Sequence, residues 1–459
     1  MIDRYHDFIR RKEFSIESTG FPVSVDELNP MMFDFEKDIV RWALAKGKAA
    51  IFSGCGLGKT FCQLEWAHQI STRTNNGRVL VVAPLSVSGQ TVQEGKKYGI
   101  HVNPCRTQAD VEPGINITNY EMLSHFVASE FVGVVLDESS ILKSYSGSIR
   151  NEIISMFRST PYRLACTATP APNDYMELGN HSEFLGIMSR AEMLSMYFVH
   201  DGGDTNKWRL KKHAQDIFWQ WMASWGCFLE NPRDIGYEIS GYDLPPLVMR
   251  EYFVDGSGDD VANAESLTLT ERRNARKESL QARCEYAADI VNMDGEQWIV
   301  WCDLNAESDM LHNLIPDSVE VKGADTHDHK TSAFAGFASG KHRVIVTKGS
   351  IAGYGLNWQN CHNMVFVGLS DSFETMYQAI RRCWRFGQTH QVNVYIVLST
   401  KEGCVLQNIN RKQADFKRMI DEMTAYTQEI TKKELKRTSR ITTAYDACTQ
   451  MKLPNWISA

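Results

Sequence analysis

The sequence predicts an α/β protein built from two doubly wound parallel sheets, with a helical and linker region between them. Three observations carry this. Short β-branched runs alternate with helical patterns, the mark of strand–helix–strand units. The alternation comes in two blocks, parted by a stretch of different character between about 180 and 285. At 459 residues, 43% hydrophobic and 23% charged, the chain is long enough for two or three domains, each with an ordinary core.

The first block opens after residues 1–32, which carry little pattern. Phe33 to Ala45 reads as a helix, with Phe35, Ile39, Val40, Trp42 and Ala43 mostly three or four apart and Gly47 as its stop. Ala49–Phe52 reads as a buried strand. It leads into Ser53-Gly54-Cys55-Gly56-Leu57-Gly58-Lys59-Thr60, and a helix follows on Phe61, Leu64, Trp66, Ala67 and Ile70. Arg78–Pro84 is a strand stopped by proline, Ile115–Thr118 a shorter one, Phe131–Leu136 a strong one running into Asp137-Glu138, and Tyr162–Thr167 another. Lys59, Asp137, Glu138 and Thr167 all fall at carboxyl ends of strands, where such sheets bind ligands.

Between 180 and 250, Trp208, Phe218, Trp219, Trp221, Trp225 and Phe228 crowd together behind Lys207, Arg209, Lys211 and Lys212. Two readings stand: a helical subdomain with an aromatic core, or a platform on which bases stack. Asp243–Leu247 reads as a linker and 255–285 as an exposed loop and helix. The second block has strands at Trp298–Cys302, Val319–Val321, Val344–Thr347, Met364–Val367 and Val392–Val397, then a helix from Val405 to Met423. Lys432, Lys433, Lys436, Arg437 and Arg440 make a basic tail, read equally as a solvated face or a binding patch. The expected units are an N-terminal segment 1–32, a first domain 33–185, a helical insertion and linker 186–284, a second domain 285–400 and a C-terminal helix and tail 401–459.

The net charge is −7, so any contact with nucleic acid has to be a local basic surface on an acidic body. Eleven cysteines without a Cys-x-x-Cys pair read as reduced, mostly buried thiols rather than disulfides or a zinc site. Met1–Asp7 is charged and lacks an apolar signal core, and no run of 18 apolar residues exists. A cytoplasmic protein is expected.

Ser53–Thr60 sits between strand and helix, the context of a phosphate-binding loop. Glycines let backbone N–H groups converge on phosphate oxygens, and the helix N-terminus adds partial positive charge. Gly54, Cys55, Gly56, Leu57, Gly58, Lys59 and Thr60 form the expected cradle, with Lys59 on the β/γ-phosphates and Thr60 on Mg²⁺. Asp137 is the second expected Mg²⁺ ligand, and Glu138 the group that polarises the attacking water. Gln378–Gln388 lies on an expected helix of the second block, and its Arg382 and Arg385 share one helix face. Two such guanidiniums suit triphosphate oxygens.

Taken together these stretches resemble the Swi/Snf branch of helicase superfamily two, over roughly residues 33–400. Gly56–Thr60 is similar to motif I, Ala83-Pro84-Leu85-Ser86 to motif Ia and Ile117–Leu123 to motif Ib. Asp137-Glu138 is similar to motif II, and Thr167–Pro170 with Asn173 and Glu177-Leu178 to motif III. Gly353-Tyr354-Gly355-Leu356-Asn357 with Gln359 resembles motif V. Gln378–Gln388 resembles motif VI, with the Arg-x-Gly-Gln ending of this branch. The resemblance implies two RecA-like domains, ATP with Mg²⁺ as cofactors, and catalytic roles for Lys59, Asp137, Glu138, Gln378, Arg382 and Arg385. It adds Glu36, Gly353 and Gly355 to the nucleotide site and puts Pro84, Leu85, Ser86, Asn119, Tyr120 and Asn357 on nucleic acid. It implies ATP-driven translocation on duplex DNA without sequence preference. A strand-separating helicase on DNA or RNA, and an ATP-switched clamp with weak turnover, stay open. The compact form is like those of bacteria and their phages.

The chain departs from the pattern in several places. Ser53 stands at the first loop position, where the strict pattern has glycine. Ser139-Ser140 follow Asp137-Glu138 where Ala-His or Ala-Asp is usual. Glu36 stands where many relatives read adenine with glutamine; a carboxylate only accepts, which puts base selectivity in question. Ile351-Ala352-Gly353 replaces Ala-Gly-Gly, and Arg381 replaces an aspartate.

Overall fold

The computed structural model describes residues 18–143, 147–201, 204–255, 269–353, 356–370 and 372–439. Its strands, in chain order, are β1 (Lys48–Ser53), β2 (Val79–Ala83), β3 (Val102–Pro104), β4 (Ile115–Asn119), β5 (Gly133–Asp137), β6 (Tyr162–Thr167), β7 (Phe198–Asp201), β8 (Asp204–Leu210), β9 (Gly226–Leu229), β10 (Leu247–Phe253), β11 (Trp298–Cys302), β12 (Ser318–Val321), β13 (Val344–Lys348), β14 (Asn363–Val367) and β15 (Val392–Leu398). The first sheet runs β3-β4-β2-β5-β6-β1-β9 and the second β10-β15-β14-β11-β13-β12, and every neighbouring pair in both is parallel. These are two doubly wound parallel-sheet domains, as expected. The β7–β8 pair is an antiparallel hairpin outside both sheets.

The central strands form because both of their faces are covered. Val79, Leu80, Val81, Val82 and Ala83 are all fully buried, and so are Ile299 and Val300. Each such Val, Leu or Ile contributes about 1.5–3 kcal/mol over leaving it in water. The helix Asp34–Lys46 caps its first turn with the Glu36 carboxylate and ends at Gly47, φ +73, where glycine escapes the steric penalty of a side chain.

The region expected as a helical insertion, 186–284, also gives a strand to each sheet. β9 pairs with β1, and β10 pairs with β15, so the first sheet extends past residue 185 and the second begins before 285. Both are edge strands: β9 has only four residues, and β10 carries Arg250 and Glu251 in the middle of its run. The aromatics follow the core reading: Phe218, Trp219, Trp221, Trp225 and Phe228 are buried, and no base could stack on their faces. Trp208 is half-buried under His200, ring centroids 3.6 Å apart.

The last helix, Gly403–Ser439, is longer than the expected Val405–Met423 and spans about 55 Å at the usual rise. Phe416 packs on Phe373 and Tyr377 of the second domain. Further along, Tyr426 stacks on Trp219, Glu422 accepts from the Tyr175 hydroxyl at 2.6 Å, and Leu435 joins the first domain's core. The helix therefore straps one domain to the other. Of the basic tail, Lys432 pairs with Glu429 and Lys433 is exposed. The side chains of Lys436 and Arg437, and all of Arg440, lie outside the described residues, as do residues 1–17, residues 256–268 and the side chain of Lys207. Among the described residues the cysteines are all free, and no helix is long and apolar enough to cross a membrane.

Candidate nucleotide site

β1 delivers the glycine loop to the carboxyl edge of the first sheet. Gly56 and Gly58 take φ +88 and +69, in the left-handed region. At Gly56 a Cβ would meet the Phe386 backbone nitrogen at 2.9 Å, so a second-domain loop presses on the first domain here. Lys59 opens the helix Lys59–Arg73 and donates from Nζ to the Ser53 and Gly54 carbonyls at 2.6 and 3.0 Å. One turn on, Gln63 donates from Nε2 to Oδ1 of Asp137 at 2.8 Å.

Asp137 ends β5, and Glu138 follows in the left-handed region, φ +58, a strained backbone for a glutamate. Its Oε1 accepts from the Thr167 hydroxyl at 2.5 Å and from Ser140 Oγ at 3.3 Å. Burial raises both carboxyls above the usual range. The Gln63 bond works against this at Asp137, and the Lys59 charge at Glu138. The Asp-Glu-Ser-Ser departure therefore still ties Glu138 to the Thr167–Pro170 stretch, through Thr167. Ser139 faces His181, Oγ to Nε2 at 3.2 Å, and burial lowers that imidazole to about 4.

The second domain closes the cavity. Gln378 is buried on the helix Phe373–Ile380; its Oε1 accepts from Arg382 Nη2 at 3.0 Å, and Cys55 Sγ lies 3.8 Å from it. Its Nε2 is buried with no partner among the described residues, a donor left over for a ligand. Arg382 and Arg385 lie in the turn beyond that helix, which ends at Ile380, so they do not share the expected helix face; Arg382 also donates to the Leu356 carbonyl, and Arg385 reaches the same carbonyl at 3.4 Å. Burial lowers Arg382 to about 10 and pulls Arg385 down as well, so both are under-solvated cations. Cys55, Gly56, Gly58, Lys59, Thr60, Asp137, Glu138, Gln378, Arg382 and Arg385 line one cavity of about 480 Å³.

Glu36 lines this cavity too. It is 4% exposed, accepts from the Phe33 N–H at 2.9 Å, and its other oxygen lies over Gly58, 1.8 Å from where a Cβ would stand. Burial raises its carboxyl to about 7. The aromatic wall nearby is Phe33, Phe61, Tyr98, Tyr242 and Phe386, with Phe61 and Tyr98 stacked at 3.6 Å.

Several expected residues fall elsewhere. Gly54 and Leu57 stand behind the loop, Leu57 in the core. Gly353 is the buried end of the short helix Gly349–Ala352 and does not line the cavity; Gly355 lies outside the described residues. Tyr120, expected on nucleic acid, is 8% exposed and spends its hydroxyl on the Asp137 carbonyl at 2.7 Å, so its role is to hold β5. Pro84 and Asn357, expected on the same partner, line the nucleotide cavity instead. Asn119 is half-buried at the end of β4, and Leu85 is 56% exposed; nothing is described of the Ser86 side chain. Arg381, where the branch has aspartate, is buried, lies over Trp384 and reaches within 3.6 Å of a Cβ built on Gly54.

Sequence reasoning missed Gln63, Lys143, Thr169 and Glu374. Glu374 is 5% exposed, accepts from the Thr169 hydroxyl at 3.3 Å and pairs with Lys143, both across the cleft. Gln63 and Glu374 each lie one helical turn from a motif residue, Lys59 and Gln378, which is the signal that marks them.

Residues 282–387 match the family of the helicase conserved C-terminal domain. A curated relative, the chromatin structure-remodeling complex subunit snf21 of Schizosaccharomyces pombe, is 23% identical over 172 residues, which cover 32% of this chain and 14% of that protein. A solved structure described as the Sulfolobus solfataricus SWI2/SNF2 ATPase core in complex with dsDNA is 17% identical at TM-score 0.41, covering 90% of this chain and 97% of that one. The helicase match falls on the half of the chain that supplies Arg382 and Arg385, and the remodeller likeness is to the same branch that the motifs resemble: the chain is similar to Swi/Snf-type members of helicase superfamily two.

Proposed function

We propose that the chain is an ATP-driven motor that tracks duplex DNA through its phosphates, without sequence preference and without processive strand separation. The observation that carries this is the lining of one cavity from two domains, with Lys59, Asp137 and Glu138 from the first and Arg382 and Arg385 from the second. A nucleotide there would be held by the first domain and completed by the second, so turnover would depend on how the domains sit. The residues present fit the cofactors. Gly56 and Gly58 supply the left-handed backbone that a phosphate loop uses, and Gln378 Nε2 has a hydrogen to give. Asp137 and Thr60 would hold Mg²⁺, which needs few protein oxygens because it keeps waters and shares phosphate oxygens. When bound, the ion neutralises charge on the β/γ-phosphates. Glu138, steadied by Thr167, would orient the attacking water, and Arg382 and Arg385 would meet the charge that spreads over the phosphoryl oxygens.

The Swi/Snf likeness supports duplex DNA as the track, and the remodelling role printed for the relative agrees with it. Leu85, Ser86 and Asn119 are proposed to face it. The first test is ATP hydrolysis with and without duplex DNA. Strong stimulation by duplex DNA is expected, with triplex displacement and little unwinding of a forked duplex. Efficient fork unwinding, or stimulation by RNA alone, would favour a strand-separating helicase. Weak turnover under all conditions would favour an ATP-switched clamp.

A further inference from the structure

A second cavity, of about 600 Å³, opens at the opposite edge of the first sheet from the nucleotide site. Its floor is Arg163, at the start of β6, whereas Thr167 at the end of that strand touches Glu138. The strand separates the two by about 13 Å. One wall is the helix Ser148–Met156 with Arg158 just beyond it; the other is the turn after the helix Leu178–Leu185.

Arg163 is 4% exposed. Its guanidinium lies flat on Gly186, whose φ of +71 and missing Cβ make the room: a Cβ there would stand 2.7 Å from Nη2. Nη1 donates to the Phe184 carbonyl at 2.6 Å. Nε is buried without a partner, and neither it nor Nη2 finds an acceptor among the described residues. Among the described residues no carboxylate pairs with this charge. Burial alone lowers the guanidinium to about 10, and the nearby Lys48 amine is held down by its own burial and by the Arg163 charge. The two acids that line the cavity are already engaged. Glu183 pairs with Arg150 and accepts from the Arg190 N–H, while Glu192 caps Ser189. Arg158, at the exposed rim, has no ion pair among the described residues.

A buried charge is tolerated when something pairs it. The cavity falls in the size range of small-ligand sites, and Ile154, Ile187 and Met188 give it an apolar side. We propose that this cavity binds a small ligand bearing an oxyanion, a carboxylate or a phosphate ester, with the oxyanion on Arg163 and Arg158 guarding the entrance. The site is separate from the nucleotide cleft and does not depend on how that cleft is used.

The test titrates inorganic phosphate and succinate, each at constant ionic strength, into the full chain carrying Lys59→Ala, which removes the competing phosphate cradle. Calorimetry should show saturable single-site binding of at least one probe. Preference for phosphate would assign a phosphate ester, and preference for succinate a carboxylate. Arg163→Met on that background should weaken binding about tenfold or more, the loss of a charge-assisted bond. Arg158→Ser, on the surface and harmless to folding, should weaken it by a smaller factor. Absence of saturable binding by both probes overturns the proposal. So does equal affinity in both variants, and if Arg163→Met does not fold, unchanged affinity in Arg158→Ser overturns it alone.

Discussion

Thr169 donates its hydroxyl to Glu374 across the cleft, at 3.3 Å, and this bond is one link of a continuous path. Glu138 accepts from Thr167; the Thr169 N–H donates to that same Thr167 hydroxyl at 3.0 Å. Glu374 sits one helical turn before Gln378, and Gln378 accepts from Arg382. The group proposed to orient water and the arginine proposed to meet the developing phosphoryl charge are thus joined by hydrogen bonds and one helical turn. Breaking the middle link should uncouple them. Glu374→Ala is expected to cost about 1–3 kcal/mol of stability, the price of unpaired buried partners. It should lower DNA-stimulated kcat far more than it raises KM for ATP. Steady-state kinetics beside a denaturant melt check both parts.

Lys59→Ala should abolish hydrolysis in a folded protein. The Nζ is held by two loop carbonyls at the place where phosphate oxygens would compete for it. Near-normal turnover in this variant would mean that the cavity is not the hydrolytic site.

Glu36 is expected to make nucleotide binding depend on pH. Its carboxyl, raised by burial to about 7, is protonated below that and then offers one donor and one acceptor, as a glutamine does. Ionised, it only accepts. ATP affinity should therefore fall as pH rises through 7, and Glu36→Gln should flatten the profile and sharpen the choice of ATP over GTP. The stability sign is the same. A folded pKa above the unfolded value gives stability that is present at low pH and lost between about 4.5 and 7, up to about 3 kcal/mol at the order-of-magnitude level. Nucleotide titrations at several pH values, wild type beside variant, decide it; two parallel profiles would remove Glu36 from the base.

DNA affinity should fall steeply with salt in spite of the net charge of −7. Each phosphate contact releases condensed counterions, so log K falls about linearly with log salt. A flat dependence between low and physiological salt would argue against a groove that tracks phosphates.

The parts legible in the sequence are those whose cause is local. β6 and β11 match their expected spans to the residue, because a strand covered on both faces is mostly apolar, β11 throughout and β6 apart from Arg163 and Thr167. β10 was not legible: it follows Pro245-Pro246, carries Arg250 and Glu251, and lies at an edge where β15 alone decides its register. In the site, the glycine loop, Asp137-Glu138 and the paired arginines were readable as chemistry at fixed spacing. The motifs located Tyr120 and Asn357 but not the direction of their side chains, which packing sets, and they placed Gly353 without showing that it is buried away from the cavity. Thr169 and Glu374 are 205 residues apart, and no local pattern reports a bond of that kind.

Arg385→Ala should remove turnover while sparing nucleotide binding. Arg385 is half-buried beside the glycine loop: a Cβ built on Gly56 would lie 3.5 Å from the Cβ of Arg385. It belongs to the second domain, so it stands here only because the domains are closed, with Phe386 against Tyr242 and Glu374 against Thr169 and Lys143. The binding of ground-state phosphates rests on Gly56–Thr60 and should change little. In the transition state charge spreads over the phosphoryl oxygens, and an arginine there is worth about 10³–10⁵ in rate. Partial burial has already removed some of the water from Arg385, which leaves its charge less screened than an exposed arginine's. DNA stimulation should vanish with the side chain, because closure without the arginine completes nothing. ATP affinity within a few-fold of wild type, with no DNA-stimulated hydrolysis, is the expected pair of results from nucleotide titration and ATPase assay. A variant that keeps its DNA-stimulated rate would show that the second domain closes the cavity without taking part in the chemistry.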